Sequence, residues 1–260
     1  GYYESQEGEW DSNGQVLWAA AAYVRMTGQR LSDQALDSLE KAARWIPRKR
    51  LPEDGKTQAA GLLPAGFSAE HLGPNNHYYW DNYWAIGGLR HAAAIFEQTG
   101  RTELAQQCRA WADDHLQSVE RSIDHLDTAR TGGAIPAAPN RRMDAGAIGS
   151  IVADYPLQLY APDDARITKT LEFLLDRCMV KDAFFQDMTH SGMNAYLTIH
   201  LAQALLRRGD TRYEKLIHRI ADLASPTGQW PEAAHPITDT GCMGDGQHGW
   251  ASAEWTIIIR

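Results

Sequence analysis

The chain repeats one helical pattern four times, and this repetition constrains its fold more than any other feature. Each repeat has an apolar segment rich in small residues, a short turn and an amphipathic segment. The repeats follow one another at roughly 50–65 residues, a spacing typical of helical arrays. A helix that is apolar on most faces must be buried, and an amphipathic helix can cover it with its apolar stripe. The pattern therefore predicts two layers of helices, arranged as an all-α toroid or solenoid of helical hairpins.

Nine helices are predicted from this pattern. The apolar helices span residues 13–27, 79–98, 145–159 and 193–206, the amphipathic helices span residues 31–49, 102–126, 165–180 and 213–223, and a ninth helix begins near Gly249. Ser32, Asp33 and Asp144 are the types of residue that cap helix N-termini. Strand-like alternation extends over no more than about four residues, so no sheet is predicted. We expect one all-α domain over residues 1–260.

The overall charge of the chain limits its partners. The 260 residues carry a formal net charge of −8, which argues against nucleic acid or an anionic membrane as a partner. No apolar run approaches the ~20 residues that a membrane-spanning helix requires. Three cysteines, none in a CxxC pair, exclude a disulfide scaffold and give no indication of structural zinc.

The connections between the hairpins are long and rich in functional residue types. They cover residues 50–78, 127–144, 181–192 and 225–248, and loops beyond about 12–15 residues are usually functional or disordered. Their Trp, Tyr, His, Asn and Gly content disfavours disorder. In a ring of hairpins these loops emerge on one face, which predicts a cleft lined by aromatic rings and carboxylates. A sugar suits such a cleft, because its C–H faces stack on rings and its hydroxyls bind carboxylates.

The tryptophans divide by position in the sequence. The chain has 9 Trp against only 5 Phe. Trp45 and Trp111 lie on amphipathic segments and are expected in the core. Four tryptophans that lie in the connections or at the starts of helices are expected to act as sugar platforms, namely Trp10, Trp80, Trp230 and Trp250.

Short motifs resemble those of the glucoamylase-like glycoside hydrolases of family 15, which belong to the six-hairpin (α/α)6 toroid superfamily. Residues 10–17 (WDSNGQVL) are similar to the family's D-x-x-G-x-V-L helix opening. Residues 143–145 (MDA) and 162–166 (PDDAR) resemble its D-A-S…P-x-D-D-P-R stretch. Residues 230–232 (WPE), with Pro236, Thr238 and Gly241 following, resemble its E-x-x-x-P-x-T-G loop.

The resemblance implies roles for particular residues. Glu232 corresponds to the catalytic base, and Glu70 lies where the family places its general acid if the nine helices are the last nine of twelve. Asp81 is the alternative acid. Hydrolysis with inversion requires the two carboxyl groups roughly 6.5–9.5 Å apart. The expected sugar contacts are Asp11, Trp80, Asp81, Trp230, His248 and Trp250. Asp11 and Asp81 have alternative structural roles at helix N-termini.

No metal or other cofactor is expected. His71, His77, His235 and His248 lack the i, i+4 spacing of helical metal ligands, and no HExxH motif occurs. The glycines around residues 241–249 follow no strand and accompany no lysine, which weakens a nucleotide site but leaves a glycoside phosphorylase possible. The other alternative is a helical-repeat module that binds a glycan or a protein without catalysis. The first three helices of the family have no counterpart here, which would leave an open seam in a partial (α/α)6 toroid, so the resemblance also implies an additional upstream segment of the same protein.

Overall fold

The computed structural model describes residues 3, 7–55, 57–67, 74–188 and 191–260. Its α-helices are α1 (Ser12–Thr27), α2 (Asp33–Lys49), α3 (Tyr79–Gln98), α4 (Thr102–Asp124), α5 (Thr128–Thr131), α6 (Ala165–Arg177), α7 (Ala195–Arg207), α8 (Arg212–Asp222) and α9 (Gly249–Ile258). A 3-10 helix spans Ala145–Ala153. Among the described residues, no helix has both the length and the apolar character that a membrane crossing requires.

The chain divides into two compact units. Unit 1 comprises Gly1–Ala69, Pro74–Asp127 and Ala138–Arg141, and unit 2 comprises Glu70–Gly73, Thr128–Ala137 and Arg142–Arg260. The prediction of a single domain over residues 1–260 stays a prediction.

Unit 1 is built on α1 and α3, which pack with their backbones in direct contact. A Cβ atom on Gly14 would lie 2.2 Å from the carbonyl oxygen of Trp84, and a Cβ on Gly88 would lie 2.5 Å from the carbonyl oxygen of Gly14. Only glycine allows this approach. The amphipathic helices α2 and α4 pack beside α3, and the Ser32 hydroxyl caps α2 by accepting from the Ala35 N–H, as predicted.

The two apolar helices of unit 1 differ in burial. Most of α3 is buried, in agreement with its composition. In α1, however, burial is limited to one side, and Tyr23 and Met26 are 44% and 73% exposed. The expectation of a helix buried on most faces is therefore right for α3 and wrong for α1, which lacks a neighbour on its outer side among the described residues.

Unit 2 combines helical hairpins with a small sheet that the sequence does not predict. The strands are β1 (Met179–Val180), β2 (Ala183–Gln186), β3 (Gly192–Met193), β4 (Ala233–Ala234) and β5 (Gly241–Met243). They pair antiparallel in chain order, with Phe185 opposite Met193, Met193 opposite Ala234 and Ala233 opposite Met243. Strands of two to four residues are too short to produce a recognisable alternation.

The predicted helix over residues 145–159 is a shorter 3-10 helix that ends at Ala153. Its sequence AGAIGSIVA contains two glycines and three β-branched residues, all of which disfavour an α-helix. The Asp144 side chain accepts from the Gly146 N–H at 3.0 Å, so the predicted N-cap is present. The short α5 lies in a segment that was predicted as a loop, and the remaining helices begin and end within a few residues of the predicted limits.

Candidate functional site

The predicted site residues lie in both units. Asp11, Trp80 and Asp81 belong to unit 1, and Trp230, Glu232, His248 and Trp250 belong to unit 2. Glu70, the predicted general acid, and His71 lie outside the described residues.

In unit 1, Asp11 and Trp80 are in direct contact. The Trp80 indole Nε1 donates to Asp11 Oδ2 at 2.7 Å, and the Gln15 amide donates to the same oxygen at 2.7 Å. The pKa of Asp11 is raised to about 6, mainly by burial; the hydrogen bond from Trp80 opposes the rise and the charge of Glu9 contributes to it. Asp11 forms no side-chain cap on α1, so the capping alternative is not supported.

Asp81 lies in the first turn of α3 and is 0% exposed. Neither of its carboxyl oxygens has a hydrogen-bond partner among the described residues. Burial raises the pKa of Asp81 well above its usual range, and the charges of Asp11 and Glu9 raise it further. A carboxyl group in such surroundings favours its protonated form, which can donate a hydrogen bond.

In unit 2, Glu232 lies on a loop that folds back on itself. The Glu232 N–H donates to the Asp245 carbonyl oxygen at 2.9 Å, and the His248 N–H donates to the Trp230 carbonyl oxygen at 2.8 Å. These two backbone bonds bring the side chains of Glu232, Asp245 and His248 together, with one ligand-type atom of each within 4.8 Å of the others. The His248 Nδ1 is 3.1 Å from Asp245 Oδ1. We call these three residues the acid–histidine cluster.

The acid–histidine cluster has the donor types of a metal site. Oxygen and nitrogen ligands lie about 2.0–2.2 Å from zinc, so two of them on one ion are at most about 4.4 Å apart. The atoms of the cluster all lie within 4.8 Å of one another, an upper bound close to this limit.

Gly244 leaves room for the side chain of Glu232, because it has no side chain of its own. Its φ of +68° lies in the left-handed region that glycine adopts readily. A Cβ atom at this position would lie 1.9 Å from Oε2 of Glu232 and 2.6 Å from its Cβ. The Glu232 side chain therefore occupies the space that any other residue at 244 would fill.

Gly244→Ala should displace the Glu232 carboxylate, because the new methyl group cannot coexist with it and the backbone is strained at positive φ. If Glu232 is the base that the family resemblance implies, turnover of a sugar substrate should fall at least about tenfold, and we expect a loss of stability of about 1–2 kcal/mol. Steady-state kinetics and urea unfolding would measure the two effects. Gly246→Ala is the matched control, since a Cβ at Gly246 meets nothing within 4 Å. Equal activity of both variants would contradict the described packing.

Three rings stack beside the acid–histidine cluster. Tyr196 on α7 lies between His248 and Trp250, with ring centroids 4.7 Å apart in both pairs and interplanar angles of 35° and 31°. We call these three residues the aromatic wall. Because His248 belongs to both groups, the wall and the Glu232 carboxylate form one continuous site.

Behind the aromatic wall lies a buried carboxylate, Glu254. It accepts from the Tyr155 hydroxyl at 2.8 Å and from the Trp250 indole at 3.4 Å, and its Oε1 lies 3.5 Å from His200 Nε2. Burial alone would raise the pKa of Glu254, but His200, Tyr155 and Trp250 together hold it below the usual value. Glu254 therefore remains an anion.

Three of the four tryptophans expected as sugar platforms, Trp10, Trp80 and Trp230, are buried instead. Trp80 is 1% exposed and donates to Asp11, and Trp230 is 4% exposed and donates to the Ile220 carbonyl oxygen at 2.7 Å. The indole N–H groups of Trp80 and Trp230 find buried partners, and the rings pack in the core, so these contacts support a structural role. Trp45 and Trp111, which were expected in the core, are partly exposed.

Tyr155, Tyr196 and His200 were not predicted as site residues, and Glu254 was a candidate from the sequence without an assigned role. Tyr196 and His200 are four residues apart on α7, and Trp250 and Glu254 are four residues apart on α9. Each pair therefore lies on one helix face. Polar and aromatic residues at this spacing, within helices otherwise apolar, are the pattern that could have identified them.

The sequence matches no protein-family model and none of the curated proteins. Solved structures, in contrast, are similar. A bacterial glucoamylase complexed with acarbose matches with a TM-score of 0.68 and 17% identity, over 97% of this chain and 40% of that chain. A family 15 glucoamylase from Hypocrea jecorina matches with a TM-score of 0.59 and 8% identity, over 95% and 51%. The chain has the glucoamylase fold. The predicted all-α fold of the helical-hairpin toroid type is thereby confirmed.

The glucoamylase fold is shared by enzymes of more than one activity. A glycosidase in complex with glucose matches with a TM-score of 0.63 and 17% identity, over 96% of this chain and 60% of that one. A sugar epimerase from a ruminal bacterium matches with a TM-score of 0.52 and 14% identity, over 86% and 63%. The chain thus spans about 60% of the length of that glycosidase. The fold alone does not select the reaction, which must be argued from the site.

Proposed function

We propose that the protein is a glycoside hydrolase that cleaves a glycosidic bond in an oligo- or polysaccharide with inversion of configuration. The observation that carries the proposal is the position of Glu232 next to the aromatic wall. The Glu232 carboxylate is held against Gly244, and His248 joins it to the rings of Tyr196 and Trp250.

In the proposed mechanism, Glu232 acts as general base. Its carboxylate takes a proton from a water molecule, and the resulting hydroxide attacks the anomeric carbon of the sugar. The aromatic wall orients the apolar face of the sugar ring, and His248 and Asp245 supply hydrogen-bonding groups for its hydroxyls. The likeness to glucoamylases supports this assignment as an analogy of fold.

A general acid must protonate the leaving oxygen, and Glu70 is proposed for this role from the family resemblance. Asp81 is the alternative, supported by the upward shift of its pKa, which is the property that a general acid requires at neutral pH. Asp11 would assist Asp81, because its nearby charge raises the pKa of Asp81.

The full-length protein tested on a panel of oligosaccharides and aryl glycosides would decide the proposal. We expect release of a sugar whose anomeric configuration, followed by NMR during the first turnovers, is opposite to that of the substrate. Products that appear only with inorganic phosphate would identify a phosphorylase, and sugar binding without turnover would identify a binding module. Either of these results, or interconversion of free sugar epimers, would contradict hydrolysis.

A further inference from the structure

Glu254 connects three separate parts of unit 2. Its carboxylate contacts Tyr155, which follows the 3-10 helix, His200 on α7, and Trp250 one turn earlier on α9. The side chain is largely buried, so the anion depends on these groups in place of water. A buried anion with several donors fixes the positions of those donors, because losing any contact leaves the charge less well compensated.

Trp250 is the donor that matters for the site. Its indole N–H points to Glu254, while its ring stacks on Tyr196 at 4.7 Å and meets His200 edge-on at 5.6 Å. The hydrogen bond to Glu254 therefore selects one orientation of the indole within the aromatic wall. The rings of His200 and Tyr155 are also in edge-on contact, with centroids 5.3 Å apart, so the groups around Glu254 contact one another as well.

We propose that Glu254 is a positioning residue that holds the Trp250 indole in the aromatic wall, and that it thereby sets the affinity of the site for its sugar. This inference rests on the proposed function, because it assigns the wall to sugar binding. Glu254 does not take part in bond cleavage. Its carboxylate is occupied by the donors behind the wall, whereas the carboxylate of Glu232 lies at the acid–histidine cluster.

Glu254→Gln tests the proposal with little change in size. A glutamine replaces one carboxylate oxygen with an NH2 group, which faces the groups that donate to Glu254. The Trp250 indole N–H can only donate, so it cannot bond to that NH2 group. We expect KM for the sugar to rise about tenfold, the effect of losing a hydrogen bond to a charged group, with kcat changed less than about threefold. Glu214→Gln, an exposed residue on α8, is the matched control and should leave both constants unchanged.

The orientation of Trp250 can be observed independently of activity. In protein labelled with 5-fluorotryptophan, the 19F resonance of Trp250, assigned through Trp250→Phe, should shift or split in Glu254→Gln and stay in place in Glu214→Gln. Tyr155→Phe removes one of the other donors to Glu254 and should move the same resonance by a smaller amount. This second variant preserves the test if Glu254→Gln does not fold.

The results separate the two proposals. An unmoved Trp250 resonance in both variants, or a fall in kcat with KM unchanged, would overturn the positioning role. If the wild-type protein turns over no sugar, the proposed hydrolase function fails, while the 19F resonance still decides whether Glu254 orients Trp250. A shifted resonance together with a raised KM supports both.

Discussion

Glu232→Gln should lower the turnover of the sugar substrate by a factor of about 10²–10⁴, the usual contribution of a general acid or base. The reason is that the amide cannot take a proton from the attacking water, although it has nearly the size of the carboxylate. The measurement is kcat on the best substrate of the panel, with sugar affinity followed by calorimetry. Affinity should change little, because the aromatic wall remains intact.

The design of this experiment separates catalysis from folding. Glutamine at 232 keeps the packing against Gly244 and the backbone bond to Asp245, so the loop should retain its structure. Glu214→Gln on the exposed face of α8 controls for loss of a carboxylate elsewhere in unit 2. A Glu232→Gln protein with wild-type kcat would exclude Glu232 as the base.

Asp81→Asn should stabilise the protein at pH 8 by about 1–3 kcal/mol relative to wild type, and by much less at pH 4. The buried carboxyl of Asp81 has a raised pKa, so the folded protein holds a proton that the unfolded chain releases above its ordinary value of 3.8. The folded state therefore loses stability as pH rises from about 4 through the folded pKa. Asparagine carries no titrating proton and removes this loss.

Asp11 contributes in the same direction over a defined window. Folding raises the pKa of Asp11 from 3.8 to about 6. Asp11 therefore lowers the free energy of unfolding by about 3 kcal/mol as the pH rises from about 4 to about 6. Urea unfolding at a series of pH values would measure both effects. Asp124→Asn, at the exposed end of α4, is the control. A stability difference between Asp81→Asn and wild type that does not grow with pH would contradict the assignment.

The sequence predicted the helices well, because their signals are local. Periodicity, turns and caps located α3 with its observed bounds and identified Ser32 and Asp144 as N-caps. The sheet of unit 2 was missed, since its strands of two to four residues pair across loops and leave no local pattern. The helix from Ala145 also depends on its surroundings, and its glycines and β-branched residues adopt a 3-10 form.

The candidate site was predicted only in part, for a similar reason. Glu232 and His248 lie on the same long loop; their loop position made both candidates, and the family resemblance gave Glu232 its predicted role. Exposure of a tryptophan is a tertiary property, however. Trp80 begins a buried helix and Trp230 donates to a buried carbonyl oxygen, so neither offers the expected platform. Tyr196 and Glu254 acquire significance only when α7 and α9 pack together.

The hydrogen bond between Tyr155 and Glu254 joins residues 99 positions apart. Closing so long a segment of chain has a high entropic cost, whereas the bonds that place Glu232 beside Asp245 close within a single loop. Contacts between distant residues also form later in folding than local ones. The loop that carries Glu232 can therefore form early, whereas the aromatic wall and its contacts with Glu254 are complete only when α9 packs against α7. Because Trp250 and Glu254 both lie on α9, we expect any change that frays this helix to remove both from the site together.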